Sequence, residues 1–163
     1  MNYSKNQFIQ LVRHSVKFPL FLLTKLPAAY FSGVRVRQIE EAKATVTVPY
    51  KWFSQNPFKS TYFACLAMAA ELSTGVLAMI HTYKKNPAIS MLVTGLEAAY
   101  FKKATGTTTF TCDEGLDINQ TIEAAIASGE GKTIRVKSTG KNDKDELVAE
   151  FFITWSFKAK KKK

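Results

Sequence analysis

The sequence predicts an α+β fold in which a curved antiparallel β-sheet wraps around one long helix. Three observations carry this. The stretch YFACLAMAAELSTGVLAMI, residues 62–80, is almost wholly apolar or small, so as a helix it must be buried on nearly all sides. Six other segments have the two-residue alternation or β-branched content of strands. Only a sheet that curls around the helix buries it so completely. At 163 residues, 46% hydrophobic and 22% charged, the chain has the size and composition of a single globular domain, 1–163.

The elements follow in order. Residues 2–26 read as a helical preface broken at Pro19 and ending at Pro27, so 1–27 form an N-terminal extension. Residues 33–40 and 42–49 are two strands. Val34 and Val36 alternate with Arg35 and Arg37, then Val46 and Val48 with Thr45 and Thr47. The loop YKWFSQNPFKS leads to Ser60 or Thr61 as helix cap. His81, Lys84 and Lys85 suit the negative end of the helix dipole, and Asn86-Pro87 stops the helix. Residues 89–101 form a long strand, the expected sheet edge at which two protomers pair, with Glu97 placed to pair across that interface. Residues 107–112 are Thr-rich and β-prone. A short helix, 118–127, is capped by Asp117. A strand at 132–138, a turn at 139–145 and a last strand at 146–157 complete the fold. That last strand puts Leu147, Ala149, Phe151, Ile153, Trp155 and Phe157 on one face.

The net charge of +10 belongs to the two ends. Residues 1–39 hold six Lys or Arg and no acid, and the tail 158–163 holds five lysines. No basic patch interleaved with aromatics marks a nucleic-acid domain. The basic ends suit the phosphates of a substrate or a peripheral contact with an anionic membrane. FPLFLL, residues 18–23, is too short for a secretory signal, and it contains Pro19. The apolar stretch could span a bilayer by length, but Glu71 at its midpoint argues for burial in protein. Cys65 and Cys112 lack metal or redox spacing. They point to a reducing, cytoplasmic setting without a disulfide. His14 and His81 have no ligand-spaced neighbours, so no metal site is expected. GEGKT, residues 129–133, resembles a phosphate-binding loop, but Ile126 stands where that motif needs glycine, and the segment follows a helix instead of opening one.

QNPFKSTYFACLAMAAELSTG, residues 55–75, together with LPAAYFSGVRV, residues 26–36, resembles the hotdog-fold thioesterases, and within them an uncharacterised branch. In that branch a PYKW-type strand end runs into NPF-x-S and a small-residue helix carrying Glu. The resemblance covers most of the chain and implies an acyl-CoA or acyl-carrier thioester as substrate. It implies a homodimer or dimer of dimers, and no cofactor beyond the CoA of the substrate. It also implies Asn56 in the loop before the helix, the Phe63 backbone N–H as the group polarising the thioester carbonyl, and Glu71 as general base or nucleophile, usually across a dimer interface. Thr74 falls where a hydroxyl often holds water or substrate. Ser60, Tyr62, Arg35 and Arg37 are read as substrate-binding positions.

General chemistry agrees with these roles. Unpartnered N–H groups at a helix start can hold a developing oxyanion. Partial burial raises a glutamate pKa toward the value that a general base needs. Each residue also has a structural reading: Glu71 as a buried acid satisfied by Asn56 or a backbone group, Asn56 as a turn residue, Thr74 as a hydroxyl bonded one turn back, and Arg35 and Arg37 on a solvated strand face. Many catalytic relatives carry a Gly pair at the helix start, where this chain has Tyr62-Phe63-Ala64. A non-catalytic acyl- or lipid-binding module, in a soluble or a membrane-peripheral form, is the alternative to a thioester hydrolase.

Overall fold

Alternating strands and one apolar helix assemble as the pattern requires in the computed structural model, which describes residues 3–160. Lys161 to Lys163, most of the lysine tail, lie outside the described residues, as does Asn2 of the helical preface. The helices are α1 (Tyr3–Arg13), α2 (Lys17–Lys25), α3 (Pro27–Phe31), α4 (Phe63–Thr82) and α5 (Gly115–Ser128). The strands are β1 (Arg35–Ile39), β2 (Ala44–Val48), β3 (Ile89–Tyr100), β4 (Thr108–Cys112), β5 (Lys132–Lys141) and β6 (Leu147–Ala159). They form one six-stranded antiparallel sheet in the order β1-β2-β4-β5-β6-β3, so β1 and β3 are its edges.

Helix α4 packs against β1, β2, β4, β5 and β6, and α5 packs beside it on β5 and β6. Thirteen of the twenty α4 residues are buried, so its membrane-like hydropathy is spent on the core. The inward face of β6 supplies Phe151, Ile153, Trp155 and Phe157, all buried, as the alternation requires. Cys65 and Cys112 are free and buried, and burial pushes the Cys112 thiol up to about 12.

Several boundaries differ from the sequence expectation. The helical preface breaks at His14–Val16, not at Pro19. Pro19 sits in the first turn of α2, where its missing N–H has no helical role, while His14 Nδ1 accepts the N–H groups of Val16 (3.2 Å) and Lys17 (3.3 Å). Pro27 opens α3 instead of ending a helix, a position its fixed φ favours. Neither Ser60 nor Thr61 caps α4. The N-cap is Tyr62, and the Thr61 hydroxyl instead donates to Ala104 O at 3.1 Å. Helix α4 ends at Thr82, ahead of Asn86-Pro87. Helix α5 begins at Gly115, leaving Asp117 within its first turn instead of capping it. Strand β5 runs on to Lys141, so the turn is confined to the residues around Asn142 to Glu146. Gly33, at φ +80°, makes the turn into β1, and a Cβ there would stand 2.8 Å from Pro49 Cγ.

Glu97 pairs within its own chain. Its carboxylate accepts from Arg135 Nε (2.9 Å) and Nη2 (3.1 Å), and the guanidinium lies 3.9 Å from the Phe152 ring centroid. The pair bridges β3 and β5 over the intervening β6.

Candidate active site

The expected site residues line three separate cavities, except Thr74, which lies in none of them. Asn56, Ser60, Tyr62 and Phe63 line one cavity of about 620 Å³ at the start of α4, closed on the far side by Tyr100 to Ala104 after β3. Asn56 organises the loop. Its Oδ1 accepts from Phe58 N (3.0 Å), Ser60 N (3.3 Å) and Ser60 Oγ (3.2 Å), an Asx-type turn. Asn56 Nδ2 keeps no partner among the described residues. Ser60 is buried beneath this turn, and Tyr62 packs edge-on against Phe63 with ring centroids 4.8 Å apart.

The N–H groups of Cys65 and Leu66 are taken by Tyr62 O, whereas the Phe63 N–H has no partner among the described residues. It is a free donor at the positive end of a twenty-residue helix. The Phe63 side chain is itself more than half exposed and lines the same cavity.

Glu71 lies elsewhere. Ala64, Ala67, Met68 and Glu71 recur at helical spacing and form a half-buried stripe along α4. The stripe ends at a smaller cavity of about 250 Å³, walled by Leu26, Pro27, Ala28, Met68 and Leu72. The Glu71 carboxylate has no hydrogen-bond or ion-pair partner among the described residues, so Asn56 does not satisfy it. Burial raises its pKa above the ordinary 4.5. Eight residues of helix separate Glu71 from Phe63, about 12 Å along the axis. Within one chain the two open into different cavities.

Thr74 is buried and fully engaged. Its hydroxyl donates to Glu71 O at 2.9 Å and accepts from Trp155 Nε1 at 2.9 Å. It does not line the Glu71 cavity. Arg35 and Arg37 line a third cavity, beside α1 and α2.

Sequence reasoning missed Lys102 and Lys103 at the first cavity and Lys25 at the second. The only signal for the first two is a lysine pair directly after a strand ending in Tyr-Phe. Nothing local ties Lys25 to Glu71; packing of the α2–α3 corner on α4 brings them together.

A six-stranded antiparallel sheet packed around a central helix is the arrangement that the comparisons with solved structures recover. The chain belongs to the family called domain of unknown function DUF4442, which matches residues 18–157. Among solved structures it is similar to a Pseudomonas aeruginosa protein of unknown function described as a probable thioesterase. Identity is 18%, covering 98% of this chain and 99% of that one, with a TM-score of 0.72. A Haemophilus influenzae thioesterase is 11% identical over 98% of this chain and 93% of its own, with a TM-score of 0.59. A second Pseudomonas aeruginosa thioesterase, solved as a variant, is 12% identical over 92% and 99%, with a TM-score of 0.65. At these identities the likeness establishes the fold. No curated protein matches the chain.

Proposed function

We propose that the protein hydrolyses an acyl thioester, of CoA or an acyl carrier, in a homodimer or dimer of dimers. The observation that carries this is the Glu71 carboxylate, unpartnered in a largely apolar cavity that Lys25 also lines, and raised in pKa by burial. A carboxylate so placed destabilises the fold when charged, and perturbed groups of this kind cluster at functional sites. Glu71 takes a proton from water as the oxygen attacks the thioester carbonyl. The carbonyl oxygen gains charge and is held by the Phe63 N–H, with Asn56 Nδ2 positioning water or substrate. The C–S bond then breaks, the thiolate takes the proton from Glu71, and acid and thiol leave. Because one chain separates Phe63 from Glu71 by about 12 Å, the two act on one substrate from different protomers.

The rival reading is a module that holds an acyl group without turnover. The exposed Phe63 ring at the helix start favours it, because bulk there crowds the approach to the N–H.

Free-thiol release from short, long and aromatic acyl-CoAs tests the proposal, with wild type and Glu71→Gln side by side. Turnover in wild type that is lost in folded Glu71→Gln supports it. No turnover on any substrate, with a fatty acyl species co-purifying by mass spectrometry, leaves the binding module.

A further inference from the structure

The third cavity brings together cations that are far apart in the sequence. Arg13 at the end of α1, Arg35 and Arg37 on β1, and Lys51 after β2 all line a space of about 580 Å³. No Asp or Glu lines it. None of the four forms an ion pair among the described residues, although six pairs form elsewhere in the molecule. Four like charges therefore gather without a counter-charge, with Arg13, Arg37 and Lys51 exposed to solvent and accessible to an anion.

The arginines are held in place by groups that leave most of their donors free. Arg13 Nη2 donates to Ile39 O at 2.9 Å. Arg35 Nη1 donates to Val34 O (2.8 Å) and Tyr30 O (3.1 Å), and its guanidinium lies 4.6 Å from the Tyr30 ring centroid. Arg37 Nε donates to Thr47 Oγ1 at 2.9 Å. A bulge between Val36 and Gln38 leaves Arg37 unpaired in the ladder, so it reaches the same Thr47 that pairs with Arg35. A guanidinium has five N–H donors, and each of these still has donors to offer. His14 adds another, because its Nδ1 accepts backbone N–H groups and the ring proton therefore sits on Nε2. Fixed guanidinium forks with free N–H groups match the oxygens of a phosphate. Phe18 and Leu22 form the buried floor beneath the cavity.

We infer that this cavity, between the α1–α2 corner and the β1–β2 edge, binds a phosphate-bearing ligand, with Arg13, Arg35, Arg37 and Lys51 as its charge contacts. The inference needs neither Glu71 nor turnover. The phosphate comes from a soluble ester such as a carrier's nucleotide, or from a lipid headgroup at a membrane surface.

The test uses the full chain carrying Glu71→Gln, so that binding is read without hydrolysis. Calorimetry measures binding of pyrophosphate and of CoA. Sedimentation measures binding to phosphatidylglycerol vesicles against phosphatidylcholine vesicles. We expect at least one probe to bind, and binding to weaken about tenfold or more in Arg35→Ala with Arg37→Ala. The equal charge loss of Lys132→Ala with Lys144→Ala, on β5 and in the turn after it, leaves binding unchanged. Lys51→Glu, at an exposed side chain, weakens binding in the same direction and decides the matter if the arginine pair fails to fold. Binding of soluble probes assigns a free phosphate ester, and binding of anionic vesicles alone assigns a headgroup. Absence of binding to every probe overturns the inference, as does equal weakening by the Lys132 and Lys144 control.

Discussion

The indole N–H of Trp155 donates to the Thr74 hydroxyl at 2.9 Å, joining the last strand to the central helix inside the core. The same hydroxyl donates to Glu71 O, so Thr74 braces the turn that carries the carboxylate. Thr74→Val leaves a buried indole N–H without an acceptor and should cost about 1–3 kcal/mol in urea unfolding. Thr74→Ser, which keeps the oxygen, should retain most of that stability and also any thiol release. A Thr74→Val protein that stays folded but releases no thiol, with Thr74→Ser active, would instead make the hydroxyl part of the chemistry.

Glu71 should weaken the fold at neutral pH. Its folded pKa is raised by burial, so above pH 4.5 the native state binds more protons than the unfolded state. Stability attributable to this group is therefore full below pH 4.5 and falls as pH rises through the folded value. Glu71→Gln removes the fall. The variant should match wild type in urea midpoint at pH 4 and exceed it at pH 8. Identical midpoints at both values would mean that the carboxylate is solvated and not desolvated.

His81 works in the opposite direction. It is buried near the end of α4, with Nε2 3.3 Å from Glu41 O and Nδ1 without a partner. Burial, with Lys5 and Lys85 nearby, outweighs Glu41 and lowers its pKa to about 4. The unfolded state binds more protons between about pH 4 and pH 6.5, so stability is full above 6.5 and is lost as pH falls. The loss between pH 6.5 and pH 5 should be at most about 2 kcal/mol. It should be absent in His81→Gln, which thermal unfolding at the two pH values checks.

Among the described residues strand β3 pairs only with β6, which leaves its outer edge open, with Leu92 64% and Leu96 48% exposed. An open edge flanked by exposed leucines invites a second copy. Under the proposed dimer, Leu92→Lys with Leu96→Lys should give a monomer by light scattering. That monomer should also lose thiol release, because Phe63 and Glu71 would no longer meet. A wild type that is monomeric at working concentration would remove the two-protomer site.

Much of the fold is legible in the sequence because its signals are periodic. The six strands emerge from alternation, and the β6 face from Leu147 to Phe157 is read almost residue by residue. The helix ends are less legible. Their partners come from distant residues, as when Thr61 turns to Ala104, or from a side chain such as His14, whose capping role has no local motif. The site is legible only where it is local. Asn56, Ser60, Tyr62 and Phe63 lie within eight residues and share a cavity, whereas Lys102 and Lys103 join them through the return of β3.

By itself the sequence determined the sheet-wrapped helix and the position of Glu71 on it. A continuous apolar run has to be enclosed, and a helix of that length fixes which residues share a face. Only the tertiary structure decided that Phe63 and Glu71 open into different cavities, that Thr74 is engaged by Trp155, and that Arg13, Arg35, Arg37 and Lys51 converge. Those outcomes depend on contacts between residues distant in the chain, and sequence spacing carries no record of which distant groups come to share a space.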